Sequence, residues 1–251
     1  MQLRHLELNG GLVIGDETIR LILPPTAQGY ADAQIDDYGP AAGRDHYPWN
    51  PGTELALRAR FSHGRHELAG TAGFGFWNAP FGDPTVRFPA LPQVAWFFYA
   101  SPPSDMPFPE NGPGRGWFAG TMDAGTSTAL LTAPLALPML LLNQFQSLRR
   151  RIWPGVRRCL QISFTPLKAP MDSWQEYRLL WQPEGCTFFI GEEIVLQTSH
   201  SPRGPLGFVC WIDNQYLVAT PSGRFRWGTL PTTQTQTLEI ANLLLTNRAN
   251  I

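Results

Sequence analysis

The sequence predicts an all-β protein, a sandwich of two antiparallel sheets with one partly helical insertion. Three observations predict it. Gly and Pro each occur 24 times in 251 residues, beside 9 Trp and 15 Phe, a composition of many strands joined by turns. Several short runs alternate apolar and polar side chains with period two. One long apolar stretch, ALLTAPLALPMLLL at 129–142, is broken by Pro134 and Pro138, which argues against a continuous helix there. The hydrophobic fraction of 43% supports a sizeable core, and 16% charged residues is low against the roughly 25% of ordinary domains.

The elements follow in order. GLVIGDETIRLIL, 11–23, reads as a hairpin or two strands. QGYADAQIDDYG, 28–39, reads as a strand ending in acidic residues, followed by the turn-rich loop AAGRDHYPWNPG. In ELALRARFS, 54–62, Leu55, Leu57, Ala59 and Phe61 face one way and Glu54, Ala56, Arg58 and Arg60 the other, so one face meets a core. GTAGFGFWNAPFG, 70–82, is the next strand. VAWFFYASP, 94–102, is apolar on both faces, so that both are covered or one lines a cleft. Within LLNQFQSLRRRIW, Leu141, Phe145, Leu148 and Ile152 have helical spacing, which predicts a short amphipathic helix stopped by Pro154 and Gly155. Five arginines (149, 150, 151, 157 and 158) surround it. Strands return with EYRLLWQPEG, with CTFFIG and EEIVLQT about a turn at Gly191 and Glu192, with PLGFVCWIDN, and with TQTLEIANLLLTN. No repeat and no linker between domains is visible, so residues 1–251 read as one sandwich domain with an apolar, basic insertion at about 124–170.

This order resembles the concanavalin A-like sandwich, a jelly roll, and within it the laminarinase-like glycoside hydrolases called family 16. Three runs carry the resemblance: the early strand ending near QIDDY; ELALRARFS leading into GTAGFGFWNAP; and SWQEYRLLWQPEGCTFFIGEEIVLQT. It implies a glycan-binding or glycan-processing protein with an aromatic-lined groove. The family's catalytic strand bears acids in the form ExDxxE, which period two sets on the groove face as nucleophile and general acid/base. The corresponding strand here, 94–102, has no carboxylate, so no catalytic residue is carried over. The resemblance also implies an outer-face calcium, but no EF-hand spacing is present, and neither a metal nor a cofactor is predicted.

Asp36 and Asp213 are the candidate acids, each near the end of a strand and together an acid/base pair if about 5–10 Å apart. Asp36 and Asp37 are adjacent, so only one of them faces a cleft. Trp77, Trp96, Trp211 and Trp227 suit ring stacking, Trp77 beside Gly73 and Gly75 and Trp211 beside Asp213. Gln34 shares a face with Asp36, Asn78 offers an amide or closes its own turn, and Tyr216 follows Asp213 in CWIDNQY. The ligand is a carbohydrate or, alternatively, an apolar small molecule in an enclosed aromatic cavity; a structural or interaction domain without chemistry is the third possibility.

A net charge of −1 excludes a chain built around a nucleic-acid backbone. Cys159, Cys186 and Cys210 lack CxxC spacing and are odd in number, which predicts buried free thiols rather than zinc or a disulfide framework. The start MQLRHLELNGG lacks an apolar signal segment, which gives a cytoplasmic expectation unless a leader was removed, and no transmembrane span is predicted. The 124–158 insertion offers a membrane-surface, lid or dimer contact.

Overall fold

A computed structural model describes residues 2–39, 43–80 and 90–247. The last two residues of GTAGFGFWNAPFG, and residues 41 and 42 of the loop before β5, lie outside the described residues. The first half of the chain forms β1 (Arg4–Leu8), β2 (Leu12–Ile14), β3 (Thr18–Leu23), β4 (Asp32–Asp36), β5 (Thr53–Phe61), β6 (Thr71–Trp77), β7 (Gln93–Ala100) and β8 (Gly116–Asp123). The insertion follows as α1 (Ser127–Thr132), α2 (Ala136–Leu142) and α3 (Gln146–Cys159). The rest is β9 (Ser163–Pro166), β10 (Gln175–Gln182), β11 (Gly185–Ile190), β12 (Glu193–Thr198), β13 (Gly207–Asp213), β14 (Gln215–Ala219), β15 (Phe225–Thr229) and β16 (Gln236–Asn247).

Among the described residues these strands make two seven-stranded sheets, ordered β1-β4-β13-β6-β7-β8-β9 and β12-β11-β10-β5-β16-β3-β2, with β14–β15 as a separate hairpin. Neighbouring strands within each sheet are antiparallel. The architecture is the expected jelly-roll sandwich with a partly helical insertion. Its core lies between the sheets, where period two turns one side of each strand inward. From the first sheet come Ala33 and Ile35, Phe208, Cys210 and Ile212, and Phe74 and Phe76. From the second come Leu55, Leu57, Ala59 and Phe61, with Tyr177, Leu179 and Trp181 beside them on the neighbouring strand. Full burial of each large side chain contributes roughly 1.5–3 kcal/mol. Cys186 and Cys210 are buried in this core and Cys159 is half-buried; all three are free thiols. Burial pushes the thiols of Cys186 and Cys210 up, away from the reactive thiolate.

The other side of the first sheet carries a second apolar cluster, Val94, Trp96, Phe98, Phe118, Met122, Val209 and Trp211 among it. This is why VAWFFYASP is apolar on both faces. Its inward residues fill the sandwich and its outward ones build the cluster.

The insertion departs from the expectation of a helix stopped at Pro154. The helix α3 runs on to Cys159 with Pro154 inside it. The ring removes one backbone bond, yet the helix is held from outside on both sides of it. Trp153 donates its indole N–H to the Pro109 carbonyl at 3.3 Å, and Arg157 pairs with Glu110 at 2.7 Å. The apolar run before it is not one helix but a succession, α1, a 3-10 turn over Ala133–Leu135, and α2. Pro134 sits in that turn and Pro138 in the first turn of α2, where a missing N–H costs no helical bond. No described helix is long and apolar enough to cross a membrane.

Candidate functional site

The outer face of the first sheet begins with what β6 lacks. Phe74 and Phe76 point into the core, while Gly73 and Gly75 leave the outer side bare. A Cβ on Gly73 would lie 2.3 Å from the Phe97 carbonyl oxygen and 3.0 Å from the Trp211 ring. Gly75 has φ +152 and stands against the Trp96 backbone, with the Trp96 Cα 2.6 Å from where a Cβ would be. The glycines therefore let the indoles of the flanking strands close over β6. Trp77 and Trp211 lie nearly parallel, 4° apart with centroids 6.1 Å apart, and Trp96 is tilted against both.

These rings wall a pocket of about 330 Å3. Val94, Phe98, Met106, Phe108 and Met122 continue the apolar wall, and Leu6, Leu8, Leu217 and Phe225 stand on its other sides. Tyr30, Asp32, Thr71, Asp213 and Gln215 meet at one polar end, while Gln34 lines the pocket at the level of Trp211. The antiparallel register sets Asp213 directly opposite Asp32. Asp213 is almost wholly buried and accepts from the Thr71 hydroxyl (2.7 Å), the Thr71 amide (3.2 Å) and the Gln215 amide (3.0 Å). Burial nevertheless outweighs these bonds and raises its pKa from 3.8 to about 6. The Tyr30 hydroxyl bonds both carboxylates; burial first, and then the charges of Asp213 and Asp32, push its pKa up and keep it protonated. The polar end is thus a tyrosine proton donor between two carboxylates, one of them with its pKa raised to about 6 by burial.

Two indole N–H groups at the pocket have partners. Trp211 donates to the Thr71 hydroxyl at 2.9 Å and Trp77 to the Tyr38 hydroxyl at 2.9 Å. Trp96 is 8% exposed and its indole N–H has no partner among the described residues, an unsatisfied buried donor within the wall of the pocket.

Of the candidates named from sequence, Gln34, Trp77, Trp96, Trp211, Asp213 and Tyr216 line this one pocket. Asp36 does not join them. It pairs across the strands with Val209 and lies four residues from the level of Asp213, roughly 13 Å along the sheet. Its carboxylate is fully buried, held by Arg4 at 2.5 Å, by the Gln34 amide at 2.9 Å and by the Gly39 amide at 3.2 Å. Asp36 is therefore the anchor of an ion pair, and the acid beside Asp213 is Asp32. Asp37 points away and accepts from the Phe208 amide and the Trp49 indole; burial raises it to about 6. Asn78 spends its side chain on the β6–β7 turn, donating to the Leu91 carbonyl and accepting from the Gln93 amide. Trp227 is 70% exposed on β15, away from the pocket wall.

Tyr30 and Asp32 were not among the sequence candidates. The signal for Asp32 was present: Asp32, Gln34 and Asp36 alternate at period two and share a face.

No family model matches the chain, and no curated protein matches it. Solved structures similar to it include an endo-beta-1,4-glucuronan lyase from the fungus Trichoderma reesei, at 9% identity and TM-score 0.47, covering 98% of this chain and 88% of that one. The Emp47p carbohydrate recognition domain is similar at 10% identity and TM-score 0.48, with the same coverage. A sialidase is similar at 8% identity and TM-score 0.45; the chain spans 98% of its own length there but only 17% of the sialidase. At such identities and scores these likenesses assign no activity. Fold and site together define a jelly-roll sandwich with a tryptophan-walled, acid-ended pocket on the outer face of one sheet.

Proposed function

We propose that the pocket binds a compact ring-bearing molecule, apolar over most of its surface with one polar group, and that Asp213 exchanges a proton with that group. The observation that carries this is the division of the lining. Apolar side chains make most of the wall, and the titratable groups gather at one end. A volume of about 330 Å3 suits one to three fused rings and not an extended polymer. The bound molecule meets the free Trp96 N–H on its flank and Asp213 at its polar end. With its pKa at about 6, Asp213 is populated as acid and as base within one pH unit of neutrality, the condition for general acid–base work.

A second reading is a single sugar residue. The parallel Trp77 and Trp211 rings beside Gln34, Gln215 and two carboxylates support it. One experiment separates the two. Purified protein is screened by thermal shift and tryptophan fluorescence against a panel of apolar polycyclic alcohols and ketones and a panel of mono- and disaccharides. The expected result is stabilisation by the apolar panel, with saturation at 100 times Kd worth about 2.7 kcal/mol. Trp96→Phe is expected to weaken that binding about tenfold through loss of one hydrogen bond. Stabilisation by sugars alone refutes the first reading and supports the second.

A further inference from the structure

Residues 124–171 contain no Asp or Glu but carry six cations, Arg149, Arg150, Arg151, Arg157, Arg158 and Lys168, in a chain whose net charge is −1. The same segment presents an apolar face to solvent. Leu130, Leu131, Leu135, Leu141, Leu142 and Phe145 are all exposed, Leu131 by 81% and Phe145 by 63%. The inward side carries the buried residues Ala129, Asn143 and Trp153. A solvated helical face is ordinarily polar, and apolar patches of this density mark interaction surfaces.

The β14–β15 hairpin adds to the patch. Phe225 and Trp227 are 60% and 70% exposed with rings 5.5 Å apart. Gln144 donates to the Ser222 carbonyl, so hairpin and insertion touch. An apolar hollow of about 760 Å3 between them is lined by Ala129, Met139, Val156 and Phe225. Beside it a polar hollow of about 740 Å3 is lined by Arg149, Arg150 and Arg224, together with Asp105 and Glu110. Those two acids are engaged by Arg224 at 3.8 Å and Arg157 at 2.7 Å. Among the described residues no ion pair engages Arg149, Arg150, Arg151 or Arg158.

We propose that the helical insertion and the β14–β15 hairpin dock on the surface of an anionic lipid bilayer, with the leucines and aromatics at the acyl boundary and the arginines at the headgroup phosphates. Exposed Leu, Phe and Trp joined to unpaired Arg is the composition of a segment lying in the interface plane. Charge decides against a second copy of the chain. A two-fold contact through this patch would set its cations against the same cations of the partner, whereas lipid phosphates neutralise them. Pro107, Ala219 and Phe225 line both the apolar hollow and the tryptophan-walled pocket, so docking places that pocket beside the interface. The docking holds whichever ligand the pocket takes.

The test is co-sedimentation of the full chain with vesicles of phosphatidylcholine alone and of phosphatidylcholine mixed with phosphatidylserine, at low and high salt. The expected result is binding to the mixed vesicles, weakened by salt and weak on phosphatidylcholine alone. The combined variant Arg149→Gln, Arg150→Gln, Arg151→Gln is expected to lower partitioning on the order of 100-fold. Leu131→Asp with Phe145→Asp is expected to lower it about tenfold or more, and unchanged circular dichroism and Tm show that these exposed substitutions leave the fold intact. Three results overturn the proposal: no wild-type binding to mixed vesicles, equal binding to both vesicle types, or variants that bind like wild type. A fourth is a wild-type dimer in sedimentation velocity that Leu131→Asp dissociates, which assigns the face to a second copy.

Discussion

Replacing Asp213 by Asn should stabilise the protein, and only above acidic pH. The native carboxyl has its pKa raised from 3.8 to about 6, chiefly by burial. Between those values the folded state holds a proton that the unfolded chain releases, so stability is full below about pH 4 and declines as pH rises through 6. A rise of that size is worth about 3 kcal/mol at pH 8, at 1.36 kcal/mol per unit. The amide of Asp213→Asn is neutral at every pH, and its oxygen accepts from Thr71 and Gln215 as the carboxylate does. Wild type and variant should therefore have similar unfolding free energies at pH 4, with the variant more stable by up to about 3 kcal/mol at pH 8. Asp37 is raised as well, but it is present in both proteins and cancels in the difference. Urea titrations at half-unit pH steps measure the effect, with constant m-values as the check on two-state behaviour. A difference that does not change with pH, or a variant less stable at pH 8, refutes the assignment of Asp213 as a strained buried acid.

Other outcomes follow from the same geometry. Gly73→Ala drives a methyl against the Phe97 carbonyl and the Trp211 ring and should cost about 1–3 kcal/mol, with a shift in tryptophan emission. Arg4→Ala leaves the buried Asp36 carboxylate without its cation and should cost about 3 kcal/mol or more in denaturant titrations, because a buried charge loses its partner. Thr71→Val removes the hydroxyl that both donates to Asp213 and accepts from Trp211. That hydroxyl lowers the Asp213 pKa, so carbon-detected NMR of labelled aspartate should show the carboxyl titrating above its wild-type value, and stability should fall by about 1–3 kcal/mol.

The faces of the strands were legible in the sequence because period two is geometric. ELALRARFS and PLGFVCWID each divide into the halves the structure shows, and Gly73 and Gly75 mark the bare side of β6. Parity could not choose between Asp32 and Asp36. Both share the face of Gln34, and only the pairing register, set by chain far from either, brings Asp32 level with Asp213. The Arg4 partner of Asp36 lies 32 residues away on an edge strand that no pattern announced. The same holds for α3, where local propensity predicts a stop at Pro154 and tertiary contacts at Trp153 and Arg157 override it.

The β14–β15 hairpin supplies Tyr216, Leu217 and Phe225 to the pocket yet belongs to neither large sheet. It meets the 101–114 loop through the bridge between Asp105 and Val218, the Leu217 amide donating to the Ser104 hydroxyl, and the Arg224–Asp105 pair. Two-stranded ribbons are marginal by themselves, so this wall depends on those contacts to stay in place. For the ligand proposed above, the strands of the large sheet would set the fit and this ribbon the rate of exit.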